Sequence, residues 1–170
     1  MISPGLKEPS VIRRVGLSCA ALVLVVDIVT KRMAEGLSPD ALPIAITPFL
    51  NVVLVGNRGV SFGLLTSDNK FAPFVLAGLA ILIIAFVLRQ LWKVQSRTEA
   101  SALGLIIGGA IANAIDRIGD GTVTDFIDLY VGGYHWPSFN FADAAITGGV
   151  LIWVLFSRAT GLVRQTKASN

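Results

Sequence analysis

Phe139-Asn140-Phe141-Ala142-Asp143-Ala144-Ala145-Ile146-Thr147-Gly148-Gly149-Val150-Leu151-Ile152-Trp153-Val154-Leu155-Phe156 carries a single ionisable side chain, Asp143, near its start. A nearly uncharged run of about 20 residues crosses the ~30 Å hydrocarbon layer as a helix, so this stretch reads as a membrane span. Three more follow the same rule: Val15 to Val29, Phe71 to Leu88, and Ala100 to Ile115. The first and third are short, and are expected to span with snorkelling flanks or a thinned bilayer. Composition agrees, because 54% of the residues are hydrophobic and only 15% charged, too little polar cover for a soluble core. The expected fold is an α-helical polytopic membrane protein, one domain over 1–170, with four transmembrane helices and a small β-rich extracytoplasmic element.

Cations set the expected orientation, since short Lys- and Arg-rich loops stay cytoplasmic during insertion. Lys7, Arg13 and Arg14 precede the first span; Arg89, Lys93 and Arg97 join the second to the third; Arg158, Arg164 and Lys167 follow the fourth. The opposite side keeps Lys31, Arg32, Arg58, Lys70 and Arg117 among most of the acids. Both termini are therefore expected in the cytoplasm. The basic charge forms juxtamembrane clusters, not a stripe interleaved with aromatics, which argues against nucleic-acid binding. Arg13-Arg14 and the following apolar run resemble a secretory leader, but no small-x-small pair follows closely, so an uncleaved anchor is expected. Cys19 lies in that run with no cysteine partner and reads as a small hydrophobe.

Two segments fall on the outer side. The first, about 32–70, contains Leu42 to Val55, which is β-branched, punctuated by Pro43 and Pro48, and closed by Gly56-Asn57-Arg58-Gly59; it reads as short antiparallel strands. The second, about 119–138, reads as an irregular loop whose Tyr130, Tyr134 and Trp136 suit the headgroup level. In the third span, Gly104-x-x-x-Gly108, continued by Gly109 and Ala112, forms a small-residue face for close helix packing; Gly148 and Gly149 read the same way.

With the spans alternating in direction, Asp27, Asp116, Asp125 and Asp143 emerge on one face. Asn113, Asp116 and Arg117 share a helix face by i, i+3 and i+4 spacing and can form a cluster, or Asp116 and Arg117 can simply pair at the interface. Asp143 enters an apolar helix that has no need of a charge. Such a group costs about 2.5–3.5 kcal/mol at a helix centre and less near an end, which makes it a functional candidate. The plainer alternative is a helix cap or dipole partner worth about 1 kcal/mol.

Two carboxylates meeting at a low-dielectric boundary share a proton. The ionised partner can then deprotonate an attacking water while the protonated one donates to an amide carbonyl. This chemistry requires no cofactor and no metal, although a carboxylate-only magnesium or calcium site stays open. Histidine-dependent mechanisms are poorly supplied: His135 is the only histidine, and Ser61 has no evident activating base. A small proton- or ion-coupled transporter is the competing class, but its acids usually sit near the midplane between repeated halves, and no repeat is visible here.

Asp27-x-x-Thr30-Lys31, Asn57-Arg58-Gly59-Val60-Ser61-Phe62, Gly108-Gly109-Ala110-x-x-Asn113-x-x-Asp116-Arg117, Val123-Thr124-Asp125-Phe126 and Phe139-Asn140-Phe141-Ala142-Asp143 together resemble the ordered motifs of the bacterial lipoprotein signal peptidases, also called signal peptidase II. Each motif is weak alone; five in order across about 15–156 are specific. Ile28, where the family often has glutamine, and Ala112, where it usually has glycine, are minor departures. The resemblance implies an aspartyl endopeptidase of the bacterial inner membrane, with its site at the outer face. It would cleave diacylglyceryl-modified prolipoproteins just before the lipidated cysteine. It also implies catalytic roles for Asp125 and Asp143, substrate-binding or dyad-orienting roles for Asn57, Gly59, Asn113, Arg117 and Asn140, and structural roles for Asp27, Lys31 and Asp116. Expected partners are the prolipoprotein and membrane lipid, with the enzyme a monomer. The segment Leu50 to Val55 and the turn Gly59 to Phe62 are expected to close over the signal peptide.

Overall fold

A computed structural model describes residues 8–59 and 71–168, with side chains described to residue 157. Val60, Ser61 and Phe62 of the expected closing turn, Lys7, Lys70, and the side chains of Arg158, Arg164 and Lys167 lie outside the described residues.

Four helices carry the chain: α1 (Pro9–Glu35), α2 (Ala72–Leu91), α3 (Arg97–Gly119) and α4 (Phe141–Ala168). Pro9 opens α1 at the position where a missing N–H costs nothing. All four extend beyond the apolar runs that announce them. At 23 and 27 residues, α3 and α1 are longer than their apolar runs, because their polar ends are helical too. Among the described residues, α2 and α3 are long and apolar enough to cross a membrane; the apolar part of α4 is Phe141–Ser157.

The helix α3 is central and touches α1, α2 and α4. Two of its faces, not one, are lined with small residues. Gly104 and Gly108 lie against the α1 backbone at Gly16 and Ala20, while Gly109 lies against Ala142 of α4. A side chain at any of these would collide with a neighbouring main chain. Gly149 packs on Ala102 as expected, but Gly148 faces open space and has no packing role in the described structure.

Burial is inverted relative to a water-soluble protein. Leu82 and Phe74 on α2 are 68% and 61% exposed, whereas Asp27 is 0% exposed. Apolar side chains face outward and a polar cluster is sealed inside, the arrangement that a hydrocarbon surround favours.

At one end lies a four-stranded antiparallel sheet in the order β1 (Ile44–Thr47), β2 (Leu50–Asn57), β3 (Val123–Val131), β4 (Tyr134–His135). The strands expected in 42–55 are present. The outer loop expected to be irregular is instead β3 and β4: Val123-Thr-Asp-Phe-Ile-Asp-Leu-Tyr-Val131 supplies β-branched and aromatic residues, and β2 supplies the partner. The N–H groups of Phe126 and Ile127 both point to the Phe139 carbonyl, a bulge that bends β3 beside the start of α4.

Candidate active site

The start of α4 is fixed from two sides. The Asn140 Oδ1 accepts from the Asp143 N–H at 2.9 Å, and Asp143 Oδ2 accepts from the Asn140 N–H at 3.3 Å, a reciprocal cap. A further first-turn donor, the Ala142 N–H, goes to Asp27 Oδ1 on α1 at 2.8 Å. The plain reading of Asp143 as a capping acid is therefore correct but incomplete. Its Oδ1 also accepts from Asn113 Nδ2 on α3 at 2.8 Å, and the side chain remains only half-buried.

Asp125 reaches the same place from β3. Asn140 Nδ2 donates to Asp125 Oδ1 at 2.7 Å, and Asn57 Nδ2, at the end of β2, donates to Asp125 Oδ2 at 2.9 Å. Asn57 is itself held in a local turn, accepting the Gly59 N–H on Oδ1 at 2.8 Å; Gly59 has φ +83°, a conformation that favours glycine. One residue, Asn140, thus donates to both carboxylates, through its side-chain amide to Asp125 and through its main-chain N–H to Asp143. All four donors to them are neutral amides. Burial raises the Asp125 carboxyl from 3.8 to about 6; the Asn57 hydrogen bond opposes this and the Asp143 charge adds to it.

Behind this pair lies a second, ionic cluster. Lys31 Nζ contacts Asp27 Oδ2 at 2.5 Å and Asp116 Oδ2 at 2.7 Å, and donates to Asn113 Oδ1 at 3.1 Å. Lys31 also fixes the rotamer of the asparagine that holds Asp143. Asp116 consequently pairs across helices with Lys31, not with its neighbour Arg117. Arg117 turns back to the Asn113 carbonyl at 3.2 Å. The C-terminal end of α1 is tied to β3 by the Thr124 hydroxyl donating to Glu35 at 2.9 Å.

All ten residues singled out in the sequence are thus connected: Asp125, Asp143, Asn57, Gly59, Asn113, Arg117 and Asn140 at the carboxylate pair, and Asp27, Lys31 and Asp116 beside it. A cavity of about 320 Å³ opens at Asp125, lined also by Asn57, Arg58 and Ser138.

A sequence profile described as signal peptidase (SPase) II matches residues 19–158. The chain belongs to that family. It is 40% identical over 151 residues to a lipoprotein signal peptidase of Methylobacterium sp. (strain 4-46), covering 86% of this chain and 92% of the relative. It is 41% identical over 144 residues to one of Francisella tularensis subsp. novicida, covering 83% and 89%. A bacterial membrane enzyme solved by the in meso method at 2.3 Å superposes with a TM-score of 0.74 at 27% identity, covering 91% of each chain. A second, at 1.9 Å, gives 0.72 at 29% identity over 82% and 90%.

As a signal peptidase II the chain is a peptidase, and its site has a neighbour that the sequence reading missed. Asp128 is buried on β3, where its carboxylate accepts from Asn51 Nδ2 at 2.9 Å and meets His135 Nδ1 at 2.9 Å. The spacing Asp125-Phe-Ile-Asp128 within a β-branched run was the available signal.

Proposed function

We propose that this member of the family is an aspartyl endopeptidase of the bacterial inner membrane that removes signal peptides from diacylglyceryl-modified prolipoproteins, cutting just before the lipidated cysteine. The relatives' name, lipoprotein signal peptidase, supports the substrate class. The observation that carries the mechanism is Asn140 donating to both acids, from its side-chain amide to the strand carboxylate of Asp125 and from its main-chain N–H to the helix carboxylate of Asp143.

The chemistry follows from that arrangement. Four neutral amide donors orient the carboxylates without neutralising them, so the pair keeps one exchangeable proton. Asp125, whose carboxyl is raised to about 6, is the partner disposed to hold it. The ionised carboxylate takes a proton from water as the water oxygen attacks the scissile carbonyl carbon; the protonated one donates to the carbonyl oxygen. Collapse of the tetrahedral species breaks the C–N bond, and the leaving nitrogen takes up a proton from the dyad. The Arg117 Nε is buried and has no hydrogen-bond partner among the described residues, a donor left for the substrate backbone.

Outward-facing apolar residues on α2 and the sealed polar cluster support the membrane setting. The distribution of Lys and Arg supports cytoplasmic termini and a site at the outer face. There, a lipid-anchored cysteine would present its peptide bond just above the acyl chains, and anchoring reduces the search to two dimensions.

The test is reconstitution in liposomes with a diacylglyceryl-modified prolipoprotein, with and without chelator. Wild-type protein should release the signal peptide in both conditions, and Asp125→Asn or Asp143→Asn should abolish release. Cleavage that survives both substitutions would remove the dyad; loss of wild-type activity with chelator would bring back a carboxylate-bound metal.

A further inference from the structure

The cavity at Asp125 does not end there. It shares Pro137 and Ser138 with a second cavity, of about 520 Å³, lined by Pro43, Asn51, Val53, Asp128, His135 and Trp136. Alternate residues of β2, from Asn57 and Val55 to Val53 and Asn51, form one wall of both. Strict alternation would put Asp125 and Asp128 on opposite faces of β3, but the bulge at Phe126 and Ile127 shifts the parity, and both line the groove. Three residues of strand separate them, roughly 10 Å at about 3.3 Å per residue.

The far cavity contains a built polar group. Asp128 lies buried at 5% exposure and is held by Asn51. The bonds from His135 and Asn51 keep its carboxyl below the usual range, so it is ionised at neutral pH. An ionised carboxylate only accepts, so the His135 Nδ1 that meets it carries a proton. The Tyr130 ring stacks on the imidazole, with centroids 5.1 Å apart, and fixes its plane. The Nε2 atom has no partner among the described residues, and the ring is half exposed at the cavity.

We propose that this second cavity is the subsite for the substrate chain downstream of the cut, and that His135, backed by Asp128, selects a hydrogen-bond-donating side chain about three residues beyond the scissile bond. The inference rests on the peptidase reading. No residue of α1 to α4 lines the far cavity, so it suits the part of the substrate that leaves the lipid layer, while the apolar signal segment stays with the helices. With Nδ1 committed to the Asp128 carboxylate, His135 turns Nε2 to the cavity above a buried anion. That combination favours Ser, Thr, Asn or Lys and repels Asp or Glu. At the near end, Arg58 lines the Asp125 cavity, so the discrimination belongs to the far end alone.

The experiment uses liposome-reconstituted full-length enzyme and lipid-modified peptides identical through the cysteine but carrying Asn, Lys or Glu at the second, third or fourth position after the cut. Wild-type enzyme should process Asn or Lys about five- to tenfold better than Glu at one of these positions, mainly through KM. His135→Phe should flatten that ratio while cleaving at the same bond; His135→Gln, which keeps a polar group, should retain part of it. Equal rates for all peptides with wild type, or an undiminished ratio with His135→Phe, would overturn the subsite. Asp125→Asn is run alongside: its loss of cleavage shows that the peptidase reading stands when the subsite fails, whereas cleavage persisting there would overturn that reading and the subsite with it.

Discussion

Two aspartate pairs lie at the same end of this bundle and are held by opposite means. Asp27 and Asp116 share Lys31, a full positive charge sealed from solvent. Asp125 and Asp143 share Asn140 and take only neutral amide donors, from Asn57, Asn113 and the main chain. A cation fixes its partners as anions; an amide orients a carboxylate and leaves it free to exchange a proton. On the proposed mechanism the same residue type serves as a rivet in one pair and as chemistry in the other, and Asn113, bonded to Lys31 and Asp143, joins them.

The largest effect should come from the asparagine-held pair. Asp125→Asn or Asp143→Asn should each lower kcat/KM by on the order of 10²–10⁴, with the helix content by circular dichroism unchanged. The double substitution should cost little more than either single one, because residues that share one proton act as a unit. Multiplying losses would break the idea of a shared proton and leave two independent acids.

The lysine-held pair should fail differently. Lys31→Met leaves two buried carboxylates without compensation, a loss of about 3–5 kcal/mol that should appear as a lowered melting temperature in detergent before any kinetic analysis. Activity lost without a drop in stability would move Lys31 from the structural cluster into the catalytic one.

Asn57→Ala tests the boundary. It removes one donor to Asp125 and the turn that holds Gly59, so kcat should fall about ten- to hundredfold, with a melting temperature close to wild type. A fall confined to KM would make Asn57 a substrate contact alone.

Much of this contrast is legible in the sequence. The i, i+4 spacing of Asp27 and Lys31 announces their pairing, and a lone Asp143 in an apolar helix announces a purpose for its cost. What the sequence hides is distance. Lys31 reaches Asn113 across 82 positions and Asn57 reaches Asp125 across 68, contacts that no local pattern encodes. The strand β3 was hidden for a related reason: its partner β2 lies far upstream, and Asp125 and Asp128 interrupt the apolar alternation that marks a strand. The bulge at Phe126 then moves Asp128 to the face of Asp125, which parity would deny. Glycine spacing showed close packing in α3 but not that Gly104 and Gly109 serve different neighbours, since GxxxG marks a face without naming who meets it.

The smallest effect is on stability, and its sign is specific. The folded Asp125 carboxyl titrates near 6 against 3.8 for the free group, so the native state binds this proton more tightly than the unfolded state does. That contribution is fully present below 3.8 and is lost as the pH rises through about 6; above it, wild type carries a buried charge it would rather not have. Asp125→Asn removes that charge. It should therefore raise the melting temperature relative to wild type at about pH 8 and give no such gain at about pH 4. The gain stays near 1 kcal/mol, because the new amide turns a donor toward Asn57 or Asn140, both of which already donate to this position, and Asn57 cannot flip without releasing the Gly59 N–H. The matching substitution in the riveted pair, Asp27→Asn, weakens a bond to Lys31 and should destabilise at pH 8. Opposite signs for the two variants would sharpen the comparison; equal losses would mean that both pairs are rivets.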